Sequence, residues 1–145
     1  VVGNDLLMEF CVEGFDEVLD LGNARCRLMT TWSCHDRRPA SAKMRVATKF
    51  VNVARAHYSA RGIQANIIKL YGAMELAPIM NLADEIVDIV DTGNTLKANG
   101  MRPLEHIADV SSRLIVNKAS MRTRNPIIAS LIEQISTAVA SRQGD

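Results

Sequence analysis

Two aspartates three residues apart, followed at once by a glycine among hydroxyl and amide side chains, form the most chemically suggestive stretch of this chain. They are Asp88 and Asp91, with Thr92, Gly93, Asn94 and Thr95 completing the loop. A loop of that composition can turn its backbone N–H groups towards one point and hold a phosphate, with the Thr92 and Thr95 hydroxyls as further donors. The carboxylates suit the hydroxyls of a sugar, or a magnesium ion bridging to more phosphate. The chemistry pictured is a grip on a phosphorylated sugar. The plainer alternative is an ordinary strand-to-helix turn, which every α/β protein contains.

The element that must position these groups is the apolar run Ile86, Val87, Ile89 and Val90, broken only by Asp88. It reads as a strand buried on both faces of a parallel sheet. Asp88 and Asp91 then fall near its carboxyl end, where ligands bind in open α/β sheets. Further strands are expected over Cys26 to Trp32, Arg45 to Phe50, Ile67 to Tyr71 and Arg113 to Asn117. Asp16 to Leu21 stays open between turn and strand, and His106 to Val110 is weakly patterned.

A short helix is expected over Asn4 to Phe10. A second follows Asn52 as cap, with Val53, Ala54, His57 and Tyr58 on one face and Gly62 ending it. His57 reads as a helix-face residue rather than a catalytic one. A short helix lies around Glu75 to Met80, and Pro78 fits because first-turn N–H groups have no intrahelical partner. The last helix is expected to be capped by Asn125 with Pro126 at its first position. Its apolar residues Ile127, Ile128, Leu131, Ile132, Ile135 and Val139 need a sheet or partner to cover them. Residues 33–43 read as a surface loop, with Trp32 at its edge as a packing residue. Strand and helix alternate from Arg45 to Leu96, which implies a small parallel α/β lobe.

Composition narrows the classes. The chain of 145 residues suffices for one ordinary domain, and 48% apolar with only 4% aromatic residues implies an aliphatic core. A net charge of +1 with no basic block gives no reason to expect nucleic acid or an anionic membrane surface. No apolar run approaches the ~18 residues that span a bilayer, and the amino-terminus lacks the layout of a signal peptide. Cys11, Cys26 and Cys34, odd in number and unevenly spaced, fit reduced thiols in the cytoplasm. The adjacent Cys34 and His35 make no tetrahedral metal site by themselves. The Asp91-Thr92-Gly93 triplet is also found in aspartic proteases, but their fold is all-β and the helices here argue against it. The opening VVGNDLL reads as the tail of a strand begun upstream.

Longer segments carry a resemblance to a known family. LDLGNARCRL (Leu19 to Leu28), RVATKF (Arg45 to Phe50), IIKLYGAMELAP (Ile67 to Pro78), LADEIVDIVDTGNTLKANG (Leu82 to Gly100) and SSRLIVNKAS (Ser111 to Ser120) resemble ATP phosphoribosyltransferase. The family signature runs here from Glu75 through Leu96. Asn81 departs from it, since the family has glycine there. That position ends the short helix and needs a left-handed backbone, for which asparagine is the next-best residue.

The resemblance implies a two-lobed α/β fold like that of the type II periplasmic binding proteins, with the active site in the cleft. On that template residues 1–23 are an end segment of an incomplete first lobe. Residues 24–118 are the second, phosphoribosyl-donor-binding lobe, and residues 119–145 return to the first with the last helix. The family's amino-terminal portion, with much of its ATP site, is expected to be missing.

The implied reaction transfers the phosphoribosyl group of phosphoribosyl pyrophosphate (PRPP) to N1 of the adenine of ATP. Pyrophosphate leaves, with Mg2+ as cofactor, in the first step of histidine biosynthesis. The alternative is a phosphosugar-binding lobe that does no chemistry alone. The resemblance assigns the donor's 5′-phosphate to Thr92, Gly93, Asn94 and Thr95, and its ribose or an ordered magnesium to Asp88 and Asp91. Glu75 is a second candidate for the ribose, its alternative being a first-turn acid complementing the helix dipole. Lys49 is a candidate for pyrophosphate, its alternative being a solvent lysine. The chain resembles the short family form, which implies a regulatory subunit related to histidyl-tRNA synthetase, allosteric feedback, a homo-oligomer and a cytoplasmic location.

Overall fold

The alternation of strand and helix from Met44 to Ala98 builds the part of the chain that carries the DTGNT loop. The computed structural model describes residues 1–10, 13–22, 26–33 and 43–144. Cys11, the Cys34–His35 pair, most of the expected surface loop and the Trp32 side chain lie outside what is described. The chain divides into two compact units, Cys26–Asp109 and Val1–Arg25 with Val110–Asp145.

In the unit Cys26–Asp109 the strands are β3 (Cys26–Ser33), β4 (Met44–Thr48), β5 (Ala65–Lys69), β6 (Glu85–Val90) and β7 (Met101–Val110, which runs one residue past it). They form one sheet in the order β5-β4-β6-β3-β7. β4 pairs in parallel with β5 and with β6, but β3 pairs antiparallel with β6, from Arg27 opposite Val90 to Trp32 opposite Glu85. The parallel arrangement expected from Arg45 to Leu96 is present as β5-β4-β6, and β3, which lies outside that stretch, makes the whole sheet mixed. Burial alone produced the apolar run of β6, and burial does not distinguish a parallel from an antiparallel neighbour. Most residues of β7 are exposed or half-buried, which is why its apolar pattern is weak.

Helix α2 (Val51–Ala60) lies between β4 and β5 and buries Val53, Ala54 and Tyr58. Its N-cap is Phe50 with no side-chain bond, so Asn52 is inside the helix and does not cap it. The Thr48 hydroxyl does the work at this turn: it accepts from the Phe50 N–H at 2.9 Å and donates to the Val87 carbonyl at 2.7 Å. Gly62, at φ +69°, ends the helix where a left-handed residue is needed. Tyr58 donates to Glu85 at 2.6 Å. Burial, then that bond and the carboxylate charge, push its phenol well above the ordinary range, so it stays a neutral donor. His57 bonds Glu105 at 2.9 Å and so tethers α2 to β7.

The strand alternation puts Ile86, Asp88 and Val90 on one face of β6. Ile86 and Val90 join Met29, Ala47, Met74, Ala77, Ala83, Leu96 and Met101 in one buried cluster. Met74 and Ala77 reach it from the β5–β6 connection, which contains α3 (Leu76–Ile79), and Leu96 from α4 (Asn94–Ala98). Those two short helices thus close over the site end of the sheet.

The unit formed by Val1–Arg25 and Val110–Asp145 holds an antiparallel sheet in the order β1 (Val2–Gly3), β8 (Ser112–Asn117), β2 (Phe15–Asp20). The ambiguous Asp16 to Leu21 segment is thus strand, with a bulge between Glu17 and Leu19. α1 (Asn4–Phe10) follows β1. An unexpected helix α5 (Lys118–Thr123) follows β8, capped by the Asn117 side chain, which accepts from the N–H groups of Ala119 and Ser120. α6 (Asn125–Gln143) has Arg124 at its N-cap, with no side-chain cap bond. Asn125 is therefore its first residue and Pro126 its second. No residue of α6 is buried, and Ile127 is 72% exposed.

Candidate functional site

Strand β6 ends at Val90 and the chain turns at once through Asp91, Thr92 and Gly93 into α4. Gly93 makes that turn possible: it is the N-cap of α4 at φ +82°, a conformation unfavourable for residues with a Cβ. A Cβ there would meet only Val90 Cγ1, at 4.0 Å, so the space in front of this backbone is open. The Thr92 hydroxyl accepts from the Asn94 N–H at 3.4 Å, a long bond that leaves the loop free to re-aim its donors. The N–H groups of Thr95 and Leu96 lie in the first turn of α4 and have no intrahelical acceptor.

A cavity of about 250 Å³ opens here, lined by Glu75, Ile86, Asp88, Ile89, Val90 and the run from Asp91 to Leu96. Seven residues singled out in the sequence, namely Glu75, Asp88, Asp91, Thr92, Gly93, Asn94 and Thr95, therefore share one cavity within one unit. Lys49 does not line it. It follows the carboxyl end of β4, with its ammonium 5.0 Å from the centre of the Phe50 ring.

Asp88 stands where the alternation of β6 calls for an apolar residue, between Ile86 and Val90. Burial pushes its pKa up, and the charge of Glu75 adds to that; the Ile89 N–H, donating to Asp88 Oδ1 at 2.8 Å, and the Lys49 charge oppose it. Asp91 is exposed at the mouth of the loop. Glu75 is the N-cap of α3, half-buried and making no side-chain cap bond, so its carboxylate is not committed to the helix end. Three carboxylates and a loop of unpaired first-turn donors therefore share one cavity, which can bind a ligand with hydroxyls at one end and an anion at the other.

One set of interactions at the amino end of β6, the end away from the loop, had no signal in the sequence. Arg45, at the start of β4, donates to Asp84 Oδ1 at 3.0 Å and to both the carbonyl and the side-chain oxygen of Asn81, at 2.8 and 3.0 Å. Asn81 has φ +56°, the left-handed backbone expected of that position. Its partner lies 36 residues away in the chain, so local pattern could not reveal the contact.

The family model of ATP phosphoribosyltransferase matches residues 1–137. An ATP phosphoribosyltransferase of Chromohalobacter salexigens is 62% identical over 143 residues, which cover 99% of this chain and 66% of that protein. The chain thus spans about two thirds of the length of the curated relatives it matches. A subunit in the ATP phosphoribosyl transferase (HisG:HisZ) complex of Thermotoga maritima superposes with a TM-score of 0.83 at 32% identity, covering 96% of this chain and 68% of that one. An arginine transport periplasmic binding protein of Legionella pneumophila superposes with a TM-score of 0.57 at 9% identity, over 92% of this chain and 61% of that one; this shows the shared type II binding-protein fold alone. By its matched length and its identity to these relatives, the chain belongs to the ATP phosphoribosyltransferase family.

Proposed function

We propose that this chain carries the phosphoribosyl-donor site of an ATP phosphoribosyltransferase, which joins N1 of the adenine of ATP to C1 of PRPP and releases pyrophosphate. That reaction is the first step of histidine biosynthesis. The observation that carries the reading is the single cavity shared by the left-handed Gly93 turn, the two threonine hydroxyls and three carboxylates. In this reading Thr92, Gly93, Asn94 and Thr95 hold the 5′-phosphate, and Asp88, Asp91 and Glu75 take the ribose hydroxyls. The bond from C1 to pyrophosphate breaks with its electron pair going to the leaving group. The protein must therefore hold C1 in line with N1 and offset charge on the departing phosphates. Lys49, just past the carboxyl end of β4, is the cation we assign to that role.

Among the described residues no group of three or more His, Cys, Asp or Glu is arranged to hold a metal ion. The residues present fit a magnesium ion that arrives on the donor's diphosphate and adds one or two carboxylates, Asp88 or Asp91, to its ligands. Bound in that way, magnesium supplies charge neutralisation for the leaving pyrophosphate. The Thermotoga complex supports a HisZ-like partner subunit; the proposal adds that this partner is related to histidyl-tRNA synthetase and confers feedback, and that the enzyme is a cytoplasmic homo-oligomer. No described helix is long and apolar enough to cross a membrane.

Mixing the chain with PRPP, ATP and magnesium and measuring pyrophosphate tests the transfer. Release above the rate with PRPP alone supports it. A second reading, a donor-binding lobe that does no chemistry alone, is favoured by the cavity lying wholly within one unit. PRPP binding without ATP-dependent release would select it.

A further inference from the structure

The Glu75 carboxylate reaches the cavity from a four-residue helix, α3, which is too short to hold its own orientation. Something else must fix it. Between Glu75 and Asn81 the segment behaves as one body: the Met80 N–H donates to the Leu76 carbonyl at 2.9 Å, Asn81 to Pro78 at 3.1 Å and Leu82 to Ala77 at 2.8 Å. Its own Ala77 and Pro78 are buried. An anchor on Asn81 therefore bears, through this helix, on where the adjoining Glu75 stands.

Arg45 does so with a planar, five-donor side chain. Its Nη1 donates to the Asn81 carbonyl, its Nη2 to Asn81 Oδ1 and Asp84 Oδ1, and its Nε to Asp84 Oδ2. Asp84 has only 6% of its side chain exposed, so this charge pair is held in place rather than dissolved in solvent. Asp84 directly precedes β6, the strand that presents Asp88. One guanidinium thus spans the end of the segment bearing Glu75 and the start of the strand bearing Asp88.

We propose that Arg45 is a positioning residue of the donor site, fixing the Glu75 carboxylate against Asp88 across the cavity through Asn81 and Asp84. This rests on reading the cavity as the phosphoribosyl-donor site. The left-handed Asn81 is part of the device, because its side-chain oxygen gives Arg45 an acceptor that glycine lacks.

The backbone bonds between these segments do not depend on the guanidinium. The Arg45 N–H donates to Asp84 Oδ2 and the Asp84 N–H to the Arg45 carbonyl, each at 2.8 Å. Arg45→Met is accordingly expected to fold. Arg45→Lys, which cannot reach all four oxygens at once, is the milder second variant should the first melt too early.

The test is a double-mutant cycle read by calorimetric titration of PRPP with magnesium. Arg45→Met is expected to weaken binding about tenfold in the parent background and hardly at all in Glu75→Gln, because the group it positions is already lost. In Thr95→Ala, whose contact is on another element, the full loss is expected to remain. Equal losses in the Glu75→Gln and Thr95→Ala backgrounds would overturn the proposal, since a general loosening has no reason to spare one of them. No loss in any background would overturn it as well. A parent chain that does not bind PRPP would overturn the donor-site reading itself, a distinct result.

Discussion

At the scale of single residues, Asp88 shows how a site can oppose the fold that carries it. A carboxylate between Ile86 and Val90 on the packed face of β6 loses hydration on folding, and burial raises its pKa above the ordinary 3.8. Between that value and the raised one the folded state holds more protons than the unfolded state, so stability falls as pH rises through the window. Asp88→Asn retains an oxygen acceptor for the Ile89 N–H and removes the charge. It is expected to melt higher than the parent at neutral pH, with the gap closing as pH falls to about the unfolded value, and to bind PRPP more weakly. A melting series against pH checks the sign; a parent that gains on Asp88→Asn as pH rises would refute it. Thr95→Ala is expected to weaken PRPP binding by ~1–2 kcal/mol, the cost of one hydrogen bond to a charged group. Gly93→Val forces a β-branched residue to φ +82° and fills the open approach, so donor binding is expected to vanish. The composition of this loop was legible because chemistry and turn geometry both fall within six consecutive residues. The raised pKa of Asp88 was not, because it depends on what α3 and α4 place over the strand.

At the scale of elements, the strands and helices that bury a clear apolar face were readable, and caps and partners were not. β3, β4, β5 and β6 all lie within a few residues of their expected ranges. The caps assigned to Asn52 and Asn125 fall inside helices, whereas Asn117 caps a helix with no apolar pattern to announce it. An asparagine before a helix is a candidate cap; only the backbone angles before the first turn decide whether it acts as one. Asn117→Ala is expected to lower unfolding stability by about 1 kcal/mol. PRPP affinity should be unchanged, because the cap lies in the other unit. Denaturant melts and titrations on the same variant separate the two effects. The parallel direction of β4, β5 and β6 was legible from their alternation with helices, but that of β3 was not, since its antiparallel pairing with β6 joins residues that are more than 50 positions apart.

At the scale of the whole molecule, the two units differ in what they bury. Every buried hydrophobic residue among those described lies between Leu28 and Met101. In the other unit Leu6, Phe10, Phe15, Ile127 and Leu131 are each more than two fifths exposed or close to it, at 42, 62, 41, 72 and 54%. The apolar face of α6 was legible as a face needing cover; Ile128, Ile132, Ile135 and Val139 are half-buried, while Ile127 and Leu131 stay exposed. Hydrogen exchange is therefore expected to be slowest in β4 and β6 and fastest in α6. Mass-spectrometric exchange that found α6 protected as long as β6 would contradict this distribution of stability. The family was legible because its segments recur along most of the chain. The Arg45 bracket was not, because it exists only once β4, α3 and β6 are assembled.

The central claim is that the cavity at the end of β6 holds a phosphoribosyl donor. Calorimetric titration of PRPP with magnesium into the 145-residue chain tests it most directly. The account predicts one saturable site per chain whose heat disappears in Gly93→Val. A folded chain that gives no heat, or one that binds equally well after Gly93→Val, would contradict it.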